Sequence, residues 1–277
     1  MPILHYPIRG QRLQMAVEVN ETLFSNSSEF QQIDIYDTPE FGKMLFLDGH
    51  VQLAIRDEAA YHETLVHPAM WSIDNPKSAL IIGGGDGGIL REIAKHQSIE
   101  RIVMVEIDQM VIDACTEHLP ELNNGAFQDP RLELLIEDAF AYIAAIEEQF
   151  DLVFIDATDI YEGEEGELSE QLFTGKFYAD CASRLKPNGF LLTQCDNPVF
   201  CPYTLEQIKP QFQKHLESVG DYFALVPSFG GYSAVLYGSH QNTIKPEIPA
   251  GHGIELRYLN QVNLNHSFSP RPFPWPI

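Results

Sequence analysis

Leu80-Ile81-Ile82-Gly83-Gly84-Gly85-Asp86-Gly87-Gly88-Ile89-Leu90-Arg91-Glu92 decides the fold of this 277-residue chain. Ala79 to Ile82 is a short apolar run that reads as a buried parallel strand. Five glycines in six positions follow, and Ile89 to His96 then carries apolar residues at helical spacing. A strand, a glycine turn and a helix in that order bring a nucleotide-sized ligand against backbone. Glycine permits positive φ there and removes the Cβ that would hold a ligand away. A second apolar run, Ile102 to Val105, ends in Glu106 about twenty residues downstream, where an acid takes ribose hydroxyls.

Outward from this unit, strand and helix patterns alternate. Further strands are predicted at Leu132–Ile136, Leu152–Ile155 and Phe190–Thr193, with helices near 89–96, 109–118, 138–148, 170–185 and 204–218. Asp57 to Trp71 also has helical spacing. The alternation predicts an α/β fold with a doubly wound, mostly parallel sheet. Phe223–Val226 and Ser233–Tyr237 read as a closing antiparallel pair joined by Gly230-Gly231.

Ahead of this, residues 1–57 read as a small N-terminal antiparallel β domain, and 58–277 as the main domain. Met15–Val19, Phe30–Tyr36 and Met44–Leu47 have strand length, and Asp48-Gly49 turns the chain into Val51–Ile55. Such a module buries little alone, so it is expected to pack on the main domain or on another subunit. Thr158 to Gln171, with six acids and two glycines, reads as a mobile loop over a ligand site. The proline-rich segment from Lys245 is expected to wrap the surface.

Composition excludes several classes. A net charge of −23 argues against nucleic acid and anionic membranes as partners and permits cationic ligands. No apolar run is long enough to span a bilayer, and the N-terminus lacks the layout of a signal peptide, so cytoplasm is the expected compartment. Cys115, Cys181, Cys195 and Cys201 form no metal-ligand spacing and read as reduced thiols. No metal and no cofactor is expected.

Acids recur at the C-terminal ends of successive strands: Asp86, Glu106, Asp138 and Asp156, with Asp159 close behind. One such acid usually caps the next helix. Four on one edge of a parallel sheet converge on one crevice, where they repel and need cations to stay ionised. Asp86 sits inside the glycine turn, where backbone N–H groups would otherwise suit a phosphate or carboxylate. Its charge disfavours dinucleotides and suits an ammonium. The expected ligand is a positively charged nucleoside, met by a second cationic molecule.

These residues together resemble the spermidine synthase family, the polyamine aminopropyltransferases. The resemblance rests on Leu80 to Gly88 with Leu90-Arg91-Glu92, Val105-Glu106-Ile107-Asp108, Asp129-Pro130-Arg131 and Asp156-Ala157-Thr158-Asp159. Upstream it includes Leu47-Asp48-Gly49 with Gln52, Arg56-Asp57-Glu58 and Tyr61-His62-Glu63; near the end, Arg257-Tyr258 with His266 and Phe268. It implies a Rossmann-like fold of the methyltransferase type. It also implies transfer of an aminopropyl group from decarboxylated S-adenosylmethionine, a co-substrate, to an amine. With putrescine as acceptor the products are spermidine and methylthioadenosine. By motif, Gln52, His62, Gly83, Gly85, Asp86, Glu106, Ile107, Asp138 and Ala139 would bind the donor. Asp86 would hold the aminopropyl amine, Glu106 the ribose hydroxyls, and Asp138 with Ala139 would face the adenine. Asp156 and Tyr61 would be the catalytic pair, and with Asp159 and Gln194 would grip the acceptor. A homodimer or homotetramer is implied.

The departures lie on the acceptor side. After Asp159 the family continues with proline, whereas this chain reads Ile160-Tyr161-Glu162-Gly163-Glu164-Glu165-Gly166-Glu167. Phe229 stands where the family often has tyrosine, and Asp196 replaces a longer acid. Spermidine, agmatine or cadaverine therefore remain alternative acceptors. An S-adenosylmethionine-dependent methyltransferase and a non-catalytic protein of the same fold are the competing readings.

Overall fold

The computed structural model describes residues 1–9, 13–157 and 175–269; the acidic loop, Asp159 included, lies outside them. The chain begins with a hairpin of β1 (Ile3–Arg9) and β2 (Leu13–Glu18). An antiparallel meander follows: β3 (Glu21–Ser27), β4 (Gln32–Thr38), β5 (Gly42–Leu47) and β6 (His50–Ala54). β1 and β3 were not expected from the sequence. β3 is mostly exposed and rich in Ser, Asn, Thr and Glu, so it carries no apolar alternation to read.

Helix α1 (Glu58–Trp71) leads into the main sheet. Strands β7 (Ser78–Gly83), β8 (Arg101–Glu106), β9 (Leu132–Ile136), β10 (Phe150–Asp156) and β11 (Leu185–Gln194) run parallel, in the spatial order β11-β10-β7-β8-β9. β12 (Ser218–Val226) and β13 (Gly231–Ser239) close the β11 side as an antiparallel pair. The chain winds from β7 out to β9, then returns to β10 on the other side of β7. The gap between β7 and β10 is therefore the switch point, where such sheets bind ligands.

Helices α2 (Gly88–Ala94), α3 (Gln109–His118), α4 (Pro120–Asn123), α5 (Ala139–Ala145), α6 (Gly175–Ser183) and α7 (Pro202–His215) connect these strands. Alternate residues of each strand feed opposite faces. Ile81, Met104, Phe154 and Leu192 pack on α1 and α2, while Leu80, Val103, Val153 and Leu191 pack on α5, α6 and α7. Both faces are covered, which is why the strands read as continuous apolar runs.

The N-terminal strands are not a separate body. Ile33, Ile35, Leu45, Leu47 and Leu53 share one core with Val111, Ala114, Cys115, Leu119 and Leu122 of the α3–α4 region. Tyr6 on β1 packs among Met44, Phe46 and Ala54 and donates a hydrogen bond to the Ser228 carbonyl. This follows the expectation that the module covers the main domain.

α1 departs from the expected apolar stripe. Every residue from Glu58 to Met70 is buried, so the helix lies inside the protein with its polar residues inside too. The C-terminal segment wraps across it. The Glu63 carboxylate accepts backbone N–H bonds from Arg257, Tyr258 and Leu259 at 2.7–2.9 Å. Phe268, just after α8 (Gln261–Ser267), stacks on Tyr222 at 4.6 Å. Among the described residues no helix is long and apolar enough to cross a membrane, and none of the described cysteines forms a disulfide.

Candidate active site

The glycine turn joins β7 to α2 at the switch point, with Gly83, Gly84 and Gly87 at positive φ. The Gly84 N–H donates to the Asp156 carbonyl at 3.0 Å, closing the turn onto the end of β10. The missing side chains make room for the protein itself. A Cβ on Gly83 would overlap the Asp156 carbonyl, and one on Gly88 would lie inside the His62 imidazole. On Gly85 it would come 2.9 Å from the Glu106 carboxylate, and on Gly87 2.8 Å from Asn123 and Phe127. The sequence reading gave these absences to positive φ and to ligand approach; four of the five glycines are also required by packing inside the protein.

The strand-end acids share one sheet edge, each tied down differently. Glu106 accepts N–H bonds from Asp108 at 2.9 Å and from Gly85 at 3.1 Å. Burial pushes its carboxyl above the usual range, against the pull of these N–H groups. Asp108 itself accepts Ser28 Oγ at 2.6 Å and Gln31 Nε2 at 3.0 Å, so the β3–β4 loop is fastened beside Glu106. Asp86 accepts the Gly88 N–H. Asp138 caps α5 by accepting the Phe140 N–H at 2.8 Å, and Ala139 is the first residue of that helix. Ile107, after Glu106, is half-buried.

α1 delivers two side chains to the turn. The Tyr61 hydroxyl donates to Asp156 Oδ1, and His62 Nε2 lies 3.7 Å from Asp86 Oδ1. The Tyr61 ring meets His62 edge-on at 5.1 Å and Phe229 at 6.0 Å. Phe229 is held by its backbone: Asn197 donates to its carbonyl, and Asp57 takes both the N–H and the hydroxyl of Ser228. Tyr61, His62, Asp86, Asp156 and Phe229 therefore surround one place, with Glu106 behind the turn. Gln194 ends β11 beside Asp156; its side-chain Oε1 accepts the Asp196 N–H at 3.0 Å. Gln52 is the extra residue of a bulge in β6, half-buried, with its amide donating to the His50 carbonyl. The contacts described tie Gln52 to its own hairpin and Asp138 to its own helix.

Behind this surface lies a charged network that sequence reasoning missed. Arg91 donates to both Glu58 oxygens at 3.1 and 2.8 Å, to Glu92 at 2.6 Å and to the Leu122 carbonyl. Glu92 also meets His67 at 2.9 Å and Lys95 at 2.6 Å. Burial pushes the Glu92 carboxyl up, but the hydrogen bonds of His67 and Lys95 and the charge of Arg91 outweigh it and hold Glu92 well below the carboxylate range. His67 meets His96 at 2.9 Å, and burial lowers His96 to about 3. Arg257, from the C-terminal segment, also donates to Glu58. A signal was present: Glu58, Glu63, Arg91 and Glu92 fall among apolar residues on helices that must face the sheet, where buried charges are paired.

Acidic groups gather at the turn, while the acids behind it, Glu58 and Glu92, are paired with Arg91, Lys95 and Arg257. Such a crevice suits a cation and a transfer that develops positive charge on nitrogen. Among the described residues no group of three or more His, Cys, Asp or Glu is arranged to hold a metal ion.

Comparisons with known proteins place the chain in a family. Residues 58–247 match the family model described as spermine/spermidine synthase domain, and residues 5–54 the spermidine synthase tetramerisation domain. A polyamine aminopropyltransferase of Clostridium tetani is 36% identical over 88% of this chain and 86% of its own length. One of Alkaliphilus metalliredigens is 37% identical, covering 93% of this chain and 88% of its own. The crystal structure of spermidine synthase from Thermotoga maritima superposes with a TM-score of 0.87 at 29% identity, over 97% of this chain and 91% of that one. A spermidine synthase in complex with the transition state analogue AdoDATO gives 0.90 at 30%, over 97% and 92%.

Proposed function

Because the chain belongs to the spermine/spermidine synthase family, whose curated relatives are polyamine aminopropyltransferases, we propose that it moves the aminopropyl group of decarboxylated S-adenosylmethionine to putrescine. The products are spermidine and methylthioadenosine. The observation that carries this reading is the Asp156 carboxylate, held by Tyr61 at the switch point beside the turn that carries Asp86. The relative's complex with AdoDATO supports the same donor.

In this reading the nucleoside lies across the glycine turn. Glu106 takes its ribose hydroxyls, Asp138 and Ala139 its adenine, and Asp86 its ammonium, with Gln52 and His62 lining the same pocket. The sulfonium is already a good leaving group and needs no acid. The acceptor nitrogen attacks the methylene carbon next to sulfur. The C–S bond breaks with its electron pair going to sulfur, which becomes a neutral thioether. The obstacle is the nucleophile, since an alkylamine resembles lysine, with a pKa of about 10.4. Asp156 orients the amine, stabilises the developing ammonium and takes up the proton that nitrogen releases. Tyr61 fixes that carboxylate, Gln194 lies on the acceptor side, and Asp159 answers the distal ammonium.

Phe229 favours a second acceptor reading. Its ring beside Tyr61 gives the acceptor an apolar wall, which fits the longer methylene run of cadaverine or spermidine. The match to a tetramerisation domain, and Ile3 and Leu13 exposed on the β1–β2 hairpin, support assembly as a homodimer or homotetramer through the N-terminal strands. The test is product analysis with decarboxylated S-adenosylmethionine and a panel of putrescine, cadaverine, agmatine and spermidine. Methylthioadenosine and a lengthened amine are expected. Methyl transfer from S-adenosylmethionine without methylthioadenosine release would sink the proposal.

A further inference from the structure

We propose that Glu58 is a positioning residue for the donor: it keeps the His62 proton on Nδ1, so that bare Nε2 and the Asp86 carboxylate form a two-acceptor cradle for the donor's ammonium. The inference rests on the donor reading above and adds a residue and a protonation state to it.

Glu58 and His62 stand one turn apart on α1, each with a side chain 1% exposed, and Glu58 Oε2 lies 2.6 Å from His62 Nδ1. Arg91 donates to both Glu58 oxygens and Arg257 to one of them. A carboxylate gripped by two guanidinium groups is ionised and only accepts. The hydrogen between it and the imidazole therefore belongs to Nδ1, and a ring carrying that one proton presents Nε2 as an acceptor.

Nε2 is buried and has no hydrogen-bond partner among the described residues. Its nearest acid oxygen, Asp86 Oδ1, is 3.7 Å away. An N–H aimed at a carboxylate closes to about 2.8 Å; the wider gap is what two facing acceptors adopt. The ring is fixed in place, because it occupies the space of a Gly88 side chain and meets Tyr61 edge-on at 5.1 Å. A nitrogen about 2.9 Å from each acceptor fits the gap, and an ammonium brings three donors. Its arrival satisfies an orphaned buried atom and separates two repelling lone pairs.

The ammonium ends a three-carbon arm whose other end is the carbon that changes partner. It keeps its charge through the reaction, so the cradle binds ground state and transition state alike. Weakening it raises KM for the donor and leaves kcat in place.

Two measurements decide the matter. In the wild-type protein with 15N-labelled histidine, NMR is expected to find His62 protonated at Nδ1 and bare at Nε2. Decarboxylated S-adenosylmethionine is expected to move the Nε2 signal toward a hydrogen-bonded acceptor. Methylthioadenosine, which lacks the arm, is expected to leave it in place. A proton on Nε2 in the free protein, or an equal response to both ligands, overturns the proposal. In Glu58→Gln, calorimetric affinity for the donor is expected to fall about 10-fold or more, the size of a lost charge-assisted hydrogen bond, with methylthioadenosine affinity unchanged. Equal losses for both ligands, or none for either, also overturn it. Wild-type protein that transfers no aminopropyl group refutes the proposed function instead, and leaves the tautomer result readable.

Discussion

The Tyr61 hydroxyl, on α1, donates a hydrogen bond to Oδ1 of Asp156, at the end of β10. The two residues are 95 positions apart, and the bond spans the switch point of the sheet. If Asp156 orients and deprotonates the amine, Asp156→Asn lowers kcat by about 10²–10⁴-fold, the usual contribution of a positioned acid–base group. Tyr61→Phe leaves the carboxylate present but less fixed, and loses about 10-fold. Steady-state kinetics check both, with donor affinity measured alongside; the Asp156→Asn loss falls on kcat and spares the donor.

Gly88 and His62 occupy one space between them. Gly88→Ala drives a methyl into the imidazole and is expected to cost about 1–3 kcal/mol, as overpacking does. Adding His62→Ala removes the obstacle and recovers part of that loss, a non-additivity that urea denaturation of the single and double variants reads directly.

Acid weakens the fold through the cluster behind the site. His67 and His96 are buried neutral, with His96 lowered to about 3 by burial and by the nearby His67. Between that value and the ordinary histidine value of about 6.5, the unfolded chain binds more protons than the folded one. Stability therefore falls as pH drops through this window, with a slope of up to about 1.4 kcal/mol per pH unit for each proton. Glu92, held well below the carboxylate range, adds to the loss below the ordinary glutamate value of about 4.3. His96→Phe flattens the slope between pH 4 and 6 relative to wild type, measured by urea unfolding across pH (roughly one proton's worth).

Arg131 caps the chain after α2 by donating to the carbonyls of Ala94, His96 and Ile99 at 2.7–3.1 Å, and its hydrogen bonds hold the Asp129 carboxyl low. Arg131→Ala lowers stability by about 1–3 kcal/mol. KM for both substrates is expected to stay as in wild type, because the lost contacts lie at the far end of α2 from the glycine turn.

Much of this molecule was legible because the sheet is buried on both faces. Ala79 to Ile82 and Ile102 to Val105 can only be apolar, and the acids at their ends stand out against them. The parallel, doubly wound class followed from the glycine turn and the alternation after it; the order of the strands across the sheet did not. The hidden parts depend on tertiary pairing. Glu58, His62, Glu63 and His67 are polar residues spread over half the circumference of a helix whose spacing alone does not say that it is buried all round. Only the arrival of Arg91, Glu92 and the backbone of residues 257–259 makes their burial tolerable. The role of the glycines was half legible: their freedom of φ was read correctly, while Gly88 is required by a ring 26 positions earlier in the chain. β3 stayed hidden because its sequence bears no trace of the neighbours that keep it extended.

Asp108 is held on one side by Ser28 and Gln31, and its own N–H reaches Glu106, whose carboxylate grips the glycine turn at Gly85. The loop between β3 and β4 is thus two hydrogen bonds from Glu106 and the pocket proposed for the nucleoside. Whatever steadies those outer strands tightens the pocket's grip, and a filled pocket steadies the strands in return, because such couplings are reciprocal. If Glu106 takes the ribose hydroxyls as proposed, dilution that loosened an assembly built on them would register first as a slackened hold on ribose.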